Sequence, residues 1–114
     1  MRIVKRKEFL ALPAGAVFAK GYLLNFSSWQ IKGDTCYSDD FYAMQTDYSA
    51  TDNNDSGELL DQYISMIDHQ KEVPLCINSE CRDGVFADKD LFLILDNKDI
   101  QHLITTLQAC ITKG

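Results

Sequence analysis

The sequence predicts an α+β fold: one antiparallel sheet of about five strands, with two amphipathic helices packed on one of its faces. Strand-like stretches follow one another through the first half of the chain with short connections, which favours an antiparallel sheet. Two segments of the second half carry the period of a helix with one apolar face. A chain of 114 residues fits a single domain that spans 1–114.

The first half of the chain predicts strands separated by one helical turn. The turn covers 6–13 and ends there because proline disfavours helix at the residue before it. In the third strand, Trp29 and Ile31 alternate with Gln30 and Lys32. Trp29 and Ile31 are therefore expected to be buried, and Gln30 and Lys32 to be exposed to solvent. The predicted strands cover 1–5, 16–24, 28–34 and 40–46. A polar, turn-rich loop over 46–57 follows them.

The segment 55–71 predicts the first long helix. Asp55 is a suitable N-cap, and Glu58 follows three residues later, as in a capping box. Apolar side chains recur at the spacing of one buried helix face. The predicted buried residues are Leu60, Tyr63, Ile64 and Ile67.

The segment 97–113 predicts the second long helix, which begins after a cap at Asp96 or Asn97. Its apolar residues also share one face, which is expected to pack on the sheet. They are Ile100, Leu103, Ile104, Leu107 and Ile111. Between the helices, 73–78 and 84–86 are expected to form a hairpin, and the apolar run 90–96 a central strand.

Charge and hydropathy limit the partners and the location. The net charge is −6, and the stretch 33–70 holds nine acidic residues and no lysine or arginine. Such a stretch opposes direct binding to nucleic acid and suits a basic protein partner. No apolar run approaches the roughly 20 residues of a membrane span. The apolar part of the N-terminus is too short for a signal peptide, so a cytoplasmic location is expected.

Cys76 and Cys81 raise the question of a metal site. Structural zinc sites combine two closely spaced cysteines with a second cysteine or histidine pair. The remaining candidates lie far apart in the sequence: Cys36, His69, His102 and Cys110. The spacing therefore disfavours a metal, no cofactor is predicted, and the segment is interpreted as a turn with Gly84 at its end.

Catalysis finds little support, although the sequence leaves it open. A nucleophilic serine or cysteine needs a positioned base, and no such motif is present. Any pocket for a small ligand is expected to draw on aromatic and acidic residues near the third and fourth strands. These candidate binding residues are Trp29, Tyr37, Asp39, Asp40 and Tyr42. The sheet face that the helices leave uncovered is a candidate dimer interface.

Two parts of the chain carry a resemblance. The segments EFLALPAGAVFAKG, IKGDT and DFY, followed by RDGVFADKDLFLILDNKDIQHLITTL, resemble small acidic proteins of bacterial mobile elements, carried by prophages or integron gene cassettes. The resemblance spans most of the chain and implies an accessory role on mobile DNA. It brings no activity and no catalytic residue with it.

The sequence thus predicts a small, non-catalytic, cytosolic interaction protein that forms a homodimer. Two alternatives stay open. One is an acidic inhibitor that mimics nucleic acid and binds a basic partner. The other is a small-ligand-binding domain or an enzyme.

Overall fold

A computed structural model of the protein describes residues 1–77, 80–84 and 89–113. Its helices are α1 (Arg6–Leu10), α2 (Ser56–Asp68) and α3 (Asn97–Lys113). Its strands are β1 (Arg2–Lys5), β2 (Val17–Tyr22), β3 (Asn25–Phe26), β4 (Gln30–Cys36), β5 (Asp40–Gln45), β6 (Glu80–Arg82) and β7 (Leu91–Ile94). The α+β class and the antiparallel sheet are confirmed.

The strands form one open sheet in the order β1-β7-β2-β4-β5-β6, and β3 pairs with β2. All of these pairings are antiparallel. Within the described ranges the sheet has seven strands, more than the five or so that the sequence predicts. The difference includes β6, which occupies part of the predicted turn, whereas residues 73–77 form no strand. The rest of that predicted hairpin, residues 78 and 85–86, lies outside the described residues.

One face of the sheet is closed by α1. Phe9 of this short helix stacks on Phe92 of β7, with ring centroids 4.0 Å apart. It also meets Phe18 of β2 and Phe41 of β5 at 4.7 and 4.9 Å. All these rings are fully buried or nearly so, and Val4 and Ile94 complete the cluster. The predicted helical turn is confirmed, and its phenylalanine is at the centre of the core.

The opposite face of the sheet is also apolar but less well covered. The strand register places Ile3, Leu93 and Ala19 side by side in one row. Since paired residues of neighbouring strands share a face, these side chains form a continuous apolar strip. Ala19 is buried and Leu93 half-buried, whereas Ile3 at the edge is exposed.

Helix α2 begins with the predicted N-cap Asp55, and Glu58 caps the N–H of Asn54, one residue before Asp55. The Asp55 carboxylate accepts a hydrogen bond from the Glu58 backbone N–H at 2.8 Å, and the Glu58 carboxylate accepts one from the Asn54 N–H at 3.1 Å. The face that the helix turns inward differs from the predicted one. Its half-buried residues include Leu59, Gln62, Tyr63 and Met66. Leu60, Ile64 and Ile67, which the sequence predicts to be buried, are exposed.

Helix α3 is anchored at its start. Asp96 and Asp99 cap each other's backbone N–H groups at 3.0 and 3.1 Å. The N-terminal amine of Met1 lies 2.8 Å from Asp99, and its hydrogen bond is the main cause of the lowered pKa of that carboxyl. Every residue from 101 to 111 is exposed. The predicted packing of α3 on the sheet is therefore not confirmed.

The protein exposes more surface than its mass requires. Its solvent-accessible area is 8168 Å², whereas a folded monomer of 12.9 kDa is expected to expose about 6,300 Å². The radius of gyration is 16.0 Å, against about 13 Å for a compact domain of this length. The excess of about 1,900 Å² agrees with helices that leave apolar faces in solvent.

Lys32 reverses an expectation about β4. Lys32, which the sequence predicts to be exposed, lies on the core face, where it is 1% exposed, whereas Ile31 is half-buried. Its ammonium donates to the Gly33 carbonyl at 3.1 Å and to Thr35 Oγ1 at 2.9 Å, and it lies 5.7 Å from the centre of the Phe9 ring. Burial lowers the pKa of Lys32, and the nearby Asp34 carboxylate opposes that effect only partly.

Replacing Lys32 with methionine is expected to stabilise the protein at neutral pH by about 1–3 kcal/mol, because an apolar side chain of similar volume avoids burying a charge. The pKa of Lys32 is lower in the folded chain than in the unfolded one. Between these two pKa values the unfolded chain binds more protons, so the parent protein gains stability as the pH rises. The Lys32→Met variant should lack this gain.

Urea unfolding near neutral pH and again under alkaline conditions measures both effects. Lys98→Met, which removes an exposed ammonium from α3, is the matched control. It should change neither the free energy of unfolding near neutral pH nor its increase with pH. A destabilised Lys32→Met variant would show that the two hydrogen bonds of the ammonium outweigh its desolvation.

Candidate functional site

The candidate binding residues do not converge on one pocket. Trp29 lies just before β4, while Tyr37 lies just after it, and the strand between them has seven residues. At about 3.3 Å per residue, the two aromatics lie on the order of 20 Å apart. Trp29 instead lines a cavity of about 330 Å³ beneath the start of α3, together with Leu95, His102 and Leu103.

The turn between β4 and β5 presents Tyr37 to solvent. Tyr37 has a φ of 54°, in the left-handed region, and its ring faces the guanidinium of Arg82 at 5.6 Å. Tyr42 is the cross-strand partner of Arg82 in the sheet. The backbone carbonyl of Asp39 accepts a hydrogen bond from Arg6 at 2.8 Å, while the residue itself is exposed.

Asp40 is a fully buried carboxylate whose hydrogen-bonding capacity is used inside the fold. It accepts hydrogen bonds from the backbone N–H groups of Phe41 at 2.9 Å and Gly84 at 3.0 Å. Arg82 Nε lies 3.1 Å from one of its oxygens and Arg6 Nη2 lies 3.9 Å from the other. Asp40 therefore ties β5 to β6 and α1, and little of it is available to a ligand.

A second carboxylate extends this network towards β2. Asp83 lies 3.3 Å from Arg6 and 2.9 Å from the ammonium of Lys20. Lys20 also lies 3.3 Å from Asp90. Acidic and basic groups alternate through the network, so it satisfies its own charges and holds the segment after β6 against the sheet.

Cys76 and Cys81 lie on the wall of one cavity of about 290 Å³, beside the 46–57 loop. The Cys76 N–H donates to the Ala50 carbonyl at 2.7 Å. This hydrogen bond holds the irregular segment 73–77 against that loop. Among the described residues, no group of three or more His, Cys, Asp and Glu side chains could hold a metal ion. Cys36, whose thiol pKa is raised by burial, and Cys110 are not among the residues that line this cavity.

Four aliphatic residues of α3 form an extended exposed apolar surface in the described part of the chain, here called the α3 face. They are Leu103, Ile104, Leu107 and Ile111, and they are 39–72% exposed. The sequence from 100 to 112 contains no aspartate, glutamate, lysine or arginine. Contiguous exposed patches of this kind mark sites of protein association. The helical spacing identifies these residues from sequence, but it cannot show what covers them.

None of the helices in the described ranges combines the length and the hydrophobicity that a membrane-spanning segment needs. Comparison of the chain with protein-family models, with curated proteins and with solved structures finds no match.

Proposed function

We propose that the protein is a non-catalytic interaction module that acts as a homodimer, and that the α3 faces of two copies cover one another. The observation that carries this proposal is the exposed, uncharged α3 face at the end of a well-capped helix. A cytoplasmic, accessory role on a mobile element belongs to the same proposal and is supported by the resemblance in sequence.

The energetic balance supports a second copy as the partner. Full burial of a leucine or isoleucine side chain contributes about 1.5–3 kcal/mol, so covering the half-exposed residues of two α3 faces contributes on the order of 10 kcal/mol. Association costs about 4–15 kcal/mol in lost freedom of motion. The two terms are comparable, and additional apolar surface shifts the balance towards the dimer.

The exposed area is large enough for an interface of this kind. A stable interface of standard size covers about 800 Å² on each partner, and the protein exposes about 1,900 Å² more than expected for its mass. Two-fold pairing brings identical patches together, so each α3 face meets a partner of the same length with no like-charge repulsion along it. The exposed residues Leu60, Ile64 and Ile67 of α2 add apolar area in the same molecule.

Replacing Leu107 with glutamate is expected to convert the dimer to a monomer, because the charge would lie in the apolar interface unpaired. Thr105→Glu introduces the same charge on the same helix, two residues away and therefore on the opposite side. Thr105 is exposed, and its hydroxyl donates only to the Gln101 carbonyl of its own helix. This control should leave the mass in solution at twice that of the chain.

Light scattering coupled to size-exclusion chromatography measures the mass of all three proteins. A parent protein that is monomeric at tens of micromolar would refute the dimer. Equal dissociation by both variants would show that the interface lies elsewhere than on the α3 face.

A further inference from the structure

Strand β1 forms one edge of the sheet. It pairs with β7 along its whole length, from Arg2 opposite Ile94 to Lys5 opposite Leu91. In the described part of the chain no strand pairs with its other side. The backbone N–H and C=O groups of alternate β1 residues therefore point outward and can template a further strand.

A groove runs beside this edge. Its volume is about 590 Å³, and its lining comes from β1 and from the exposed side of α1. These residues are Ile3, Val4, Lys5, Lys7, Glu8 and Ala11. Ile3 is 55% exposed, and its side chain lies on the sheet face opposite α1, where an added strand would place alternate side chains beside it.

The groove is basic although the protein is acidic. Four of the eleven cationic residues fall within the first seven positions. Arg6 is buried and paired with Asp40 and Asp83. Arg2, Lys5 and Lys7 remain exposed at the edge, against the single carboxylate of Glu8 in the groove lining.

We propose that the β1 edge binds an extended, acidic peptide segment of a partner protein as an additional strand of the sheet. Backbone hydrogen bonds to the edge would supply affinity, and the groove would take alternate side chains. The cations at both ends of β1 and in α1 would select acidic residues in the peptide.

The charges also decide against a second copy at this edge. Two-fold antiparallel pairing of β1 with itself would bring Arg2 and Lys5 of both copies, four exposed cations, onto one short ladder. Lysine on an edge strand is a common guard against self-association. The carboxylates of an acidic strand would instead be attracted to these cations. This inference does not depend on the α3 face.

The probe is a fluorescein-labelled peptide of alternating valine and glutamate, capped at both termini, and fluorescence anisotropy measures its binding. Saturable binding is expected, and it should weaken several-fold when sodium chloride rises from about 50 to about 300 mM. A peptide with lysine in place of glutamate should not bind. Methylation of alternate backbone nitrogens should weaken binding at least about tenfold, because it removes donors to the edge.

Lys5→Glu and Lys7→Glu, one in the strand and one in the helix, should each weaken binding about tenfold or more. Lys98→Glu makes the same change of charge on α3 and should leave binding within about twofold. Circular dichroism establishes that each variant is folded, and hydrogen exchange should show protection of the Ile3–Lys5 amides by the peptide. The proposal fails if the peptide does not bind, if the methylated peptide binds equally well, if Lys98→Glu is as damaging, or if protection appears elsewhere.

Discussion

Replacing Phe9 with alanine should destabilise the protein by about 3–5 kcal/mol, the loss typical of a large aromatic side chain in a packed core. Phe9 has no exposed surface, and its ring contacts the rings of Phe18, Phe41 and Phe92. Its removal opens a cavity between α1 and the sheet that surrounding side chains can fill only in part. A loss of this size is a large fraction of the stability of a small domain.

Urea unfolding followed by circular dichroism measures this effect. Phe26→Ala is the matched control, because it makes the same truncation at a half-buried ring on β3, beside the main sheet. Phe26→Ala should lower the free energy of unfolding by less than half as much as Phe9→Ala does. Similar losses in the two variants would show that α1 does not close the core.

Asp40→Asn is expected to cost about 3–5 kcal/mol, since it removes one partner of a buried ion pair and leaves the other buried. The side chain of Arg6 is only 6% exposed and loses one of its compensating carboxylates. The amide oxygen can take the place of Oδ1, which accepts from the Phe41 and Gly84 N–H groups, but the amide NH2 then faces the donor Nε of Arg82 at the position of Oδ2.

Asp39→Asn provides the control for Asp40→Asn. It changes the neighbouring carboxylate, which is exposed and whose backbone alone contacts Arg6. Its stability should stay within about 0.5 kcal/mol of the parent. If both variants lost equal stability, the buried network around Asp40 would not be what holds β5, β6 and α1 together.

Local features of the fold could be predicted from sequence because their causes are local. Asp55 is the N-cap that the sequence indicates, and helical periodicity correctly groups the residues of α3 on one face. Periodicity cannot show what covers a face. The sequence predicts that this face of α3 packs on the sheet, whereas in the structure it is exposed to solvent. The same limit explains α2, where two overlapping stripes compete and Leu59 rather than Leu60 turns inward.

Other features depend on contacts between distant segments. Arg6, Asp40 and Asp83 meet across large sequence separations, and no motif near any of them signals the network. The alternation with Trp29 and Ile31 predicts an exposed Lys32, yet its long aliphatic stem lies among apolar side chains while the ammonium donates to Gly33 and Thr35. The spacing of Cys76 and Cys81 disfavours a metal site, and the fold places both residues on one cavity.

The pairing of β1 with β7 has a consequence for the order of events during synthesis. Phe9 is made early, but its stacking partner Phe92 is added more than 80 residues later. A ribosome-bound chain that has not yet released residue 91 lacks β7, which lies between β1 and β2. The core must therefore close late, through non-local contacts that slow folding. Until then the first strand and its phenylalanine remain accessible to chaperones and to other nascent chains.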